Sequence, residues 1–150
     1  MKISLLSIII SVLSLGCFAQ VQNPVTWTFS SKKLSGNQYE LKMTATLTKG
    51  WHIYSQNTPE GGPEPTKFTF TPDALVTNTG RPKEVGKLEK SHDANFGIDV
   101  LNFSNKVEFV QKVTVKNAIK TNVSGKVYYM VCDDSKCLPP KEVGFSIALK

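Results

Sequence analysis

Hydrophobic residues fall on every second position through most of this chain. Val25, Trp27 and Phe29 alternate with Thr26, Thr28 and Ser30, which is the period of a half-buried strand. After a Ser35-Gly36-Asn37 turn, Tyr39, Leu41, Met43, Ala45 and Leu47 hold the same period without a failure. Lys49-Gly50 turns the chain into Trp51 to Ser55, a short strand with Trp51 and Ile53 on one face and His52 and Tyr54 on the other. Five prolines and glycines between Gln56 and Pro65 then forbid helix and disfavour strand, so a long surface loop is predicted. Alternation resumes from Thr66 to Thr71 through Phe68 and Phe70, and Leu75 to Thr79 reads as a short edge.

Residues 84–88 are ambiguous, and Glu89 to Gly97 is polar apart from Phe96, an aromatic with no periodic neighbour to share a core face. Phe96 either folds back onto the edge of the domain or belongs to a loop whose ring covers something. Val107, Phe109, Val113 and Val115 predict a long strand over Lys106–Lys116 in which Gln111 is the one polar intruder. Asn117 to Gly125 reads as a connection, Val127 to Cys132 as a strand, and Val143, Phe145, Ile147 and Leu149 as the last one. No segment carries a helical period. About eight short strands with turns between them predict an all-β, immunoglobulin-like antiparallel β-sandwich.

The amino terminus stands apart from this pattern. Met1-Lys2 is followed by an apolar and serine run to Gly16 and small residues before Gln20, the make-up of a secretory signal peptide, with cleavage expected after Ala19. The competing reading is a lipoprotein signal with Cys17 acylated, although Ser14 stands where an aliphatic residue is wanted. Residues 20–150 then form one domain. Export to the periplasm or beyond leaves two cysteines in an oxidising compartment, so Cys132 and Cys137 are each other's expected partner.

The net charge of +6 comes from scattered lysines, with Arg81 the only arginine. Clustered arginines with interleaved aromatics are missing, so no nucleic-acid partner is expected. The basic residues read as solvated strand faces and blunted sheet edges.

Chemistry concentrates in Val127 to Lys141, where an aromatic and β-branched run leads into Cys132, four polar residues follow, and Cys137 precedes Pro139-Pro140. This reads as a hairpin with the thiols facing each other and a proline pair that blocks regular pairing. A ring so short contributes only about 2 kcal/mol of chain-entropy stabilisation. Two readings stay open: a bond made to be broken, or a clip on a secreted β protein. Asp133 and Asp134 disfavour a thiolate at Cys132, whereas Lys136 favours one at Cys137, which makes Cys137 the candidate for attack on a partner and Cys132 the resolving thiol. His52 and His92 with the two cysteines would be a zinc set by ligand type, but their spacing supports none, so neither metal nor cofactor is expected.

Tyr128 to Pro140, together with Gly50-Trp51-His52-Ile53-Tyr54 and the Gly61-Gly62-Pro63 loop, resembles the amino-terminal periplasmic domain of the DsbD thiol:disulfide interchange family over essentially the whole mature chain. The resemblance implies an immunoglobulin-like fold whose partners are thioredoxin-like periplasmic proteins and a membrane-embedded thiol reductase, with a monomer expected. It implies that Cys132 and Cys137 are the redox pair, that Tyr54 lies beside the disulfide, and that Asp93 to Gly97 is a cap loop with Phe96 as the cover. Two departures stand out. The loop between the cysteines is one residue shorter than in the best-known member, and no transmembrane region or thioredoxin-like domain follows before Lys150, so the electrons are expected from a separate protein.

Overall fold

The computed structural model describes residues 22–116 and 120–150. The predicted signal peptide, Cys17 and part of the predicted 117–125 connection lie outside the described residues. Nine strands follow in chain order: β1 (Val25–Lys33), β2 (Gln38–Leu47), β3 (His52–Tyr54), β4 (Lys67–Phe70), β5 (Val76–Asn78), β6 (Lys83–Asp93), β7 (Ile98–Val115), β8 (Asn122–Cys132) and β9 (Cys137–Ala148). All pairings are antiparallel, and the fold is an immunoglobulin-like β-sandwich.

β1, β2, β7, β6 and β5 form one paired group and β4, β8 and β9 another, within a single continuous sheet. β3 joins them, since His52 pairs with Ser104 of β7 on one side and with Cys132 of β8 on the other. The inward positions are those that the alternation marks: Leu41, Met43, Ala45, Val107, Phe109, Val113, Val127, Tyr129 and Ile147 are buried in one apolar cluster. Aromatic rings fill its centre, with Phe68 and Phe109 centroids 4.9 Å apart and Trp27 and Tyr129 5.5 Å apart. Gly125 lets β4 and β9 close on β8, because a Cβ there would lie 2.5 Å from the Thr69 carbonyl oxygen and 2.7 Å from the Phe145 ring. The Cys132–Cys137 disulfide joins the neighbouring strands β8 and β9.

Three segments differ from the pattern reading, and one of them is the predicted 117–125 connection, which gives way at Asn122 to the start of β8. The ambiguous 84–88 stretch and the polar residues after it form one strand, β6, that pairs with β7 from Lys83↔Val110 to Asp93↔Ile98. Among the described residues β6 pairs as a strand with β7 alone and shows little to the core, with Val85 and Leu88 nearly half exposed, so no buried face imposes a period on it. β7 starts at Ile98 rather than near Lys106, and Asn105, at φ 62°, gives it a kink where its pairing partner changes from β2 to β3. Gln111, the polar intruder, does point inward, and its amide nitrogen donates to the carbonyls of Thr79 and Lys112.

The proline pair blocks pairing as expected, but only locally. β9 begins at Cys137, and its register shifts so that Tyr129 meets Lys141 while Val131 meets Leu138. Pro139 and Pro140 therefore occupy an irregularity opposite Met130, where a missing N–H costs no ladder bond.

Candidate functional site

The β8–β9 hairpin brings Cys132 opposite Cys137, and the two are disulfide-bonded with Cα atoms 4.0 Å apart. The Asp133 N–H donates to the Lys136 carbonyl, 2.9 Å away, closing the loop one residue beyond the cysteines. The cysteines thus take the adjoining position of the ladder, where antiparallel side chains come closest. Asp133 Oδ1 accepts from the backbone N–H groups of Ser135 and Lys136 and from the Ser135 hydroxyl, each at 2.8 Å. These bonds hold the Asp133 carboxyl below its ordinary pKa and keep its charge turned into the loop. Lys136 is exposed, with its ammonium 5.8 Å from the centroid of the Trp51 ring.

The two sulfurs differ sharply in environment. Cys132 is fully buried, whereas Cys137 is partly exposed. Cys132 belongs with Tyr54 and Val100 to a second, small apolar cluster, against which Phe96, Ile98, Met130 and Cys137 pack. β3 separates this cluster from the main core, because Trp51 and Ile53 point into the core while Tyr54 points toward the disulfide.

Phe96 is delivered by the tip of the β6–β7 hairpin. The Gly97 N–H donates to the Asp93 carbonyl at 2.7 Å, the Asn95 N–H donates to Asp93 Oδ1 at 2.9 Å, and Gly97 takes φ 69°. Gly62 abuts this tip: a Cβ on it would lie 2.3 Å from Ile98 Cδ1 and 3.8 Å from Phe96 Cβ. The long loop carrying Gly62 is itself anchored, since Glu84 accepts from the Ser55 hydroxyl at 2.8 Å and the Gln56 N–H at 2.7 Å.

A buried polar group lies beneath the cap. The Tyr54 hydroxyl donates to Asp93 Oδ2 and lies 3.1 Å from His52 Nε2. Asp93 is 5% exposed. Burial alone would raise its pKa, but the hydrogen bonds from Tyr54, Asn95 and Phe96 outweigh it and hold the carboxyl below its ordinary value. Burial, reinforced by the bond to Asp93, pushes the Tyr54 hydroxyl up. Desolvation lowers the pKa of His52 despite the attraction of Asp93, Asp134, Asp133 and Glu89. A ring nitrogen of His52, an Asp93 carboxylate oxygen and Cys132 Sγ all lie within 4.8 Å of one another.

Of the residues singled out from sequence, Tyr54, Phe96, Cys132 and Cys137 come together. Asp133 and Lys136 form the loop at the mouth, where Lys136 lies over Trp51. His92 stands apart from the disulfide cluster, exposed and 3.2 Å from Asp99. His52 enters the sequence reading only as a weighed zinc ligand, and Asp93 only as the first residue of the cap loop. The face alternation of Trp51 to Tyr54 carries a signal for His52, because it puts that histidine on the same face as Tyr54. Asp93 has no local signal, since its importance comes from a hydrogen bond to a residue 39 positions away.

Fold and site together define a class: an immunoglobulin-like domain whose disulfide lies at one end of the sandwich, beneath a hairpin tip. Residues 19–148 match the family described as thiol:disulfide interchange protein DsbD, N-terminal, and the chain belongs to that family. No curated protein matches it in sequence. Among solved structures it is similar to the N-terminal periplasmic domain of ScsB from Proteus mirabilis, with 16% identity, a TM-score of 0.53, and coverage of 81% of this chain and 44% of that one. It is similar also to the reduced N-terminal domain of DsbD from Neisseria meningitidis, with 16% identity, a TM-score of 0.50, and coverage of 80% and 84%. At that identity the likeness is one of fold. The family implies a role in thiol–disulfide exchange, and its N-terminal domains are periplasmic.

Proposed function

We propose that this domain passes reducing equivalents between thioredoxin-like proteins in the periplasm, through reversible opening of the Cys132–Cys137 bond. The observation that carries this reading is the asymmetry of the pair: Cys137 is partly exposed beside the Phe96 cap, and Cys132 is fully buried behind it. A donor thiolate attacks Cys137 Sγ and forms a mixed disulfide, while Cys132 leaves with the electron pair and takes up a proton. The second donor thiol then attacks the donor sulfur of that mixed disulfide and releases Cys137. Two electrons and two protons have passed, and the donor leaves oxidised. The reduced pair repeats the sequence in reverse on an oxidised partner.

Within this reading Phe96 shields the bond from small thiols, Tyr54 and Val100 give Cys132 an apolar wall, and Lys136 and Asp133 shape the mouth that a partner meets. The donor is a membrane-embedded thiol reductase, and the domain works as a monomer.

The test is the equilibrium potential of the pair, by alkylation trapping across graded thiol buffers. Exchange requires a value within reach of a thioredoxin-class dithiol, near about −270 mV, whereas a clip lies below about −300 mV and resists reduction. In the Cys132→Ala variant a thioredoxin-like partner is expected to accumulate as a mixed disulfide on Cys137. A potential in the clip range, with no trapped species, overturns the proposal.

A further inference from the structure

Opening the bond changes more than the redox state of two sulfurs. A ring nitrogen of His52, a carboxylate oxygen of Asp93 and Cys132 Sγ lie within 4.8 Å of one another, and His52 Nε2 is 3.9 Å from Asp93 Oδ2. In the oxidised protein Cys132 Sγ is bonded to Cys137 and has no thiolate to offer. Reduction releases two thiols at the edge of a preformed imidazole–carboxylate pair. We infer that the reduced domain is a zinc-binding protein, holding Zn(II) through Cys132, Cys137, His52 and Asp93, and that the disulfide is the lock on this site.

The donor set decides the metal. Two thiolates and an imidazole are too soft for magnesium or calcium, and four mixed sulfur, nitrogen and oxygen donors suit tetrahedral zinc. Bond lengths of ~2.0–2.3 Å put the donor atoms of such a site about 3.3–3.8 Å apart. The three donors that already cluster in the oxidised protein, within 4.8 Å of one another, need a contraction of about 1.5 Å or less, and Cys137 Sγ, outside that cluster, turns in as the fourth donor once the bond opens. Tyr54 supports the arrangement from outside, donating to Asp93 and lying 3.1 Å from His52 Nε2.

The approach also fits a cation. A cleft at this end is lined by His52, Glu89, His92, Asp93, Asp133 and Asp134, a gathering of carboxylates on a chain of net charge +6. His52 stands at its inner wall with 17% of its side chain exposed, so an ion in the cleft meets the imidazole first and the buried sulfur behind it.

The chemistry balances without a redox change at the metal. A dithiol of the thioredoxin class reduces the disulfide with two electrons and two protons and leaves as its own disulfide. Zn(II) then displaces one proton from each thiol and binds the two thiolates. Coordinated thiolates are withheld from exchange, so zinc would hold the domain in the reduced state and out of circulation.

This inference shares with the proposed exchange function only the need for a reducible bond, which is checked first by counting thiols after treatment with a phosphine and anaerobic desalting. Fewer than two titratable thiols overturn both. With two present, the reduced protein, the oxidised protein, and reduced His52→Ala and Asp93→Asn are titrated with Zn(II) against a chromophoric chelator. The expected result is one equivalent bound by the reduced wild type and none by the oxidised form. Each variant should weaken binding by about tenfold or more, since even outer-sphere partners of a metal are worth that much. Two thiols without zinc binding overturn this inference and leave exchange standing. Equal binding by the oxidised protein, or affinity in both variants within about twofold of wild type, also overturns it, because the metal is then held elsewhere or by the thiols alone. Co(II) in place of zinc supplies a second readout: tetrahedral thiolate–cobalt absorption is expected in the reduced wild type, and a spectrum unchanged in His52→Ala overturns the assignment of that ligand.

Discussion

Two clusters share the walls of this small domain and obey opposite rules. The main core is made of aliphatic and aromatic side chains contributed by both groups of strands. The second cluster has only Tyr54, Val100 and Cys132 at its buried heart and admits Asp93 and a partly buried histidine to its edge. One three-residue strand divides them, with Ile53 facing the first and Tyr54 the second. The first region can lose an atom and suffer only in stability. In the second, each polar atom is held by a particular partner, so a small change there alters chemistry before it alters folding.

That contrast can be broken most severely at the sulfur. Cys137→Ala should abolish exchange with a thioredoxin-like partner while the domain stays folded, as read by insulin-type turnover assays alongside thermal unfolding. A fall in both together would erase the distinction between the clusters. Phe109→Ala is the matching experiment in the core: it should cost about 3–5 kcal/mol in urea denaturation and leave the potential of the cysteine pair unmoved. Tyr54→Phe removes one hydroxyl and leaves the Asp93 carboxylate short of a donor, with an expected loss of about 1–3 kcal/mol. The same variant tests whether that hydroxyl lowers the Asp93 pKa, because the acid limb of the stability curve should move to higher pH.

The pH dependence has a definite sign. Both His52 and Asp93 have folded pKa values below their ordinary ones, so the unfolded chain binds more protons than the folded one. In the oxidised protein with chelator present, the His52 contribution should be complete above pH 6.5 and be lost as pH falls through the window just below it. The Asp93 contribution should go in a second window below about pH 4. His52→Gln should flatten the first window and spare the second. The mildest expected effect is at the cap, where Phe96→Ala should let the thiols of the reduced protein alkylate several times faster. An unchanged rate would remove Phe96 from the site.

The main core was open to reading from sequence because burial on one face of a sheet forces a period of two, and β2 and the inward half of β7 display it. β6 was hidden for the same reason turned around: with neither face committed to the core, it has no period to show. The cysteine pair and its partner aromatics were legible through local spacing and family resemblance. His52 was half legible, since it shares a strand face with Tyr54. Asp93 was illegible because nothing within its own hairpin distinguishes a carboxylate that folds under the tip from one that faces water. Its identity as a site residue is a tertiary fact, made by the meeting of β3 with the end of β6.

The prolines that follow the exposed cysteine bear on how long a partner stays. Among the described residues β9 pairs as a strand with β8 alone, and its start at Cys137 is a free margin of the sheet. An arriving chain could extend the sheet there by strand addition and become difficult to dislodge. Pro139 and Pro140 withhold the N–H groups that such a splice would use. Encounters at this end of the molecule are thereby confined to side chains and the sulfur itself, which favours brief contact and quick departure over lasting attachment.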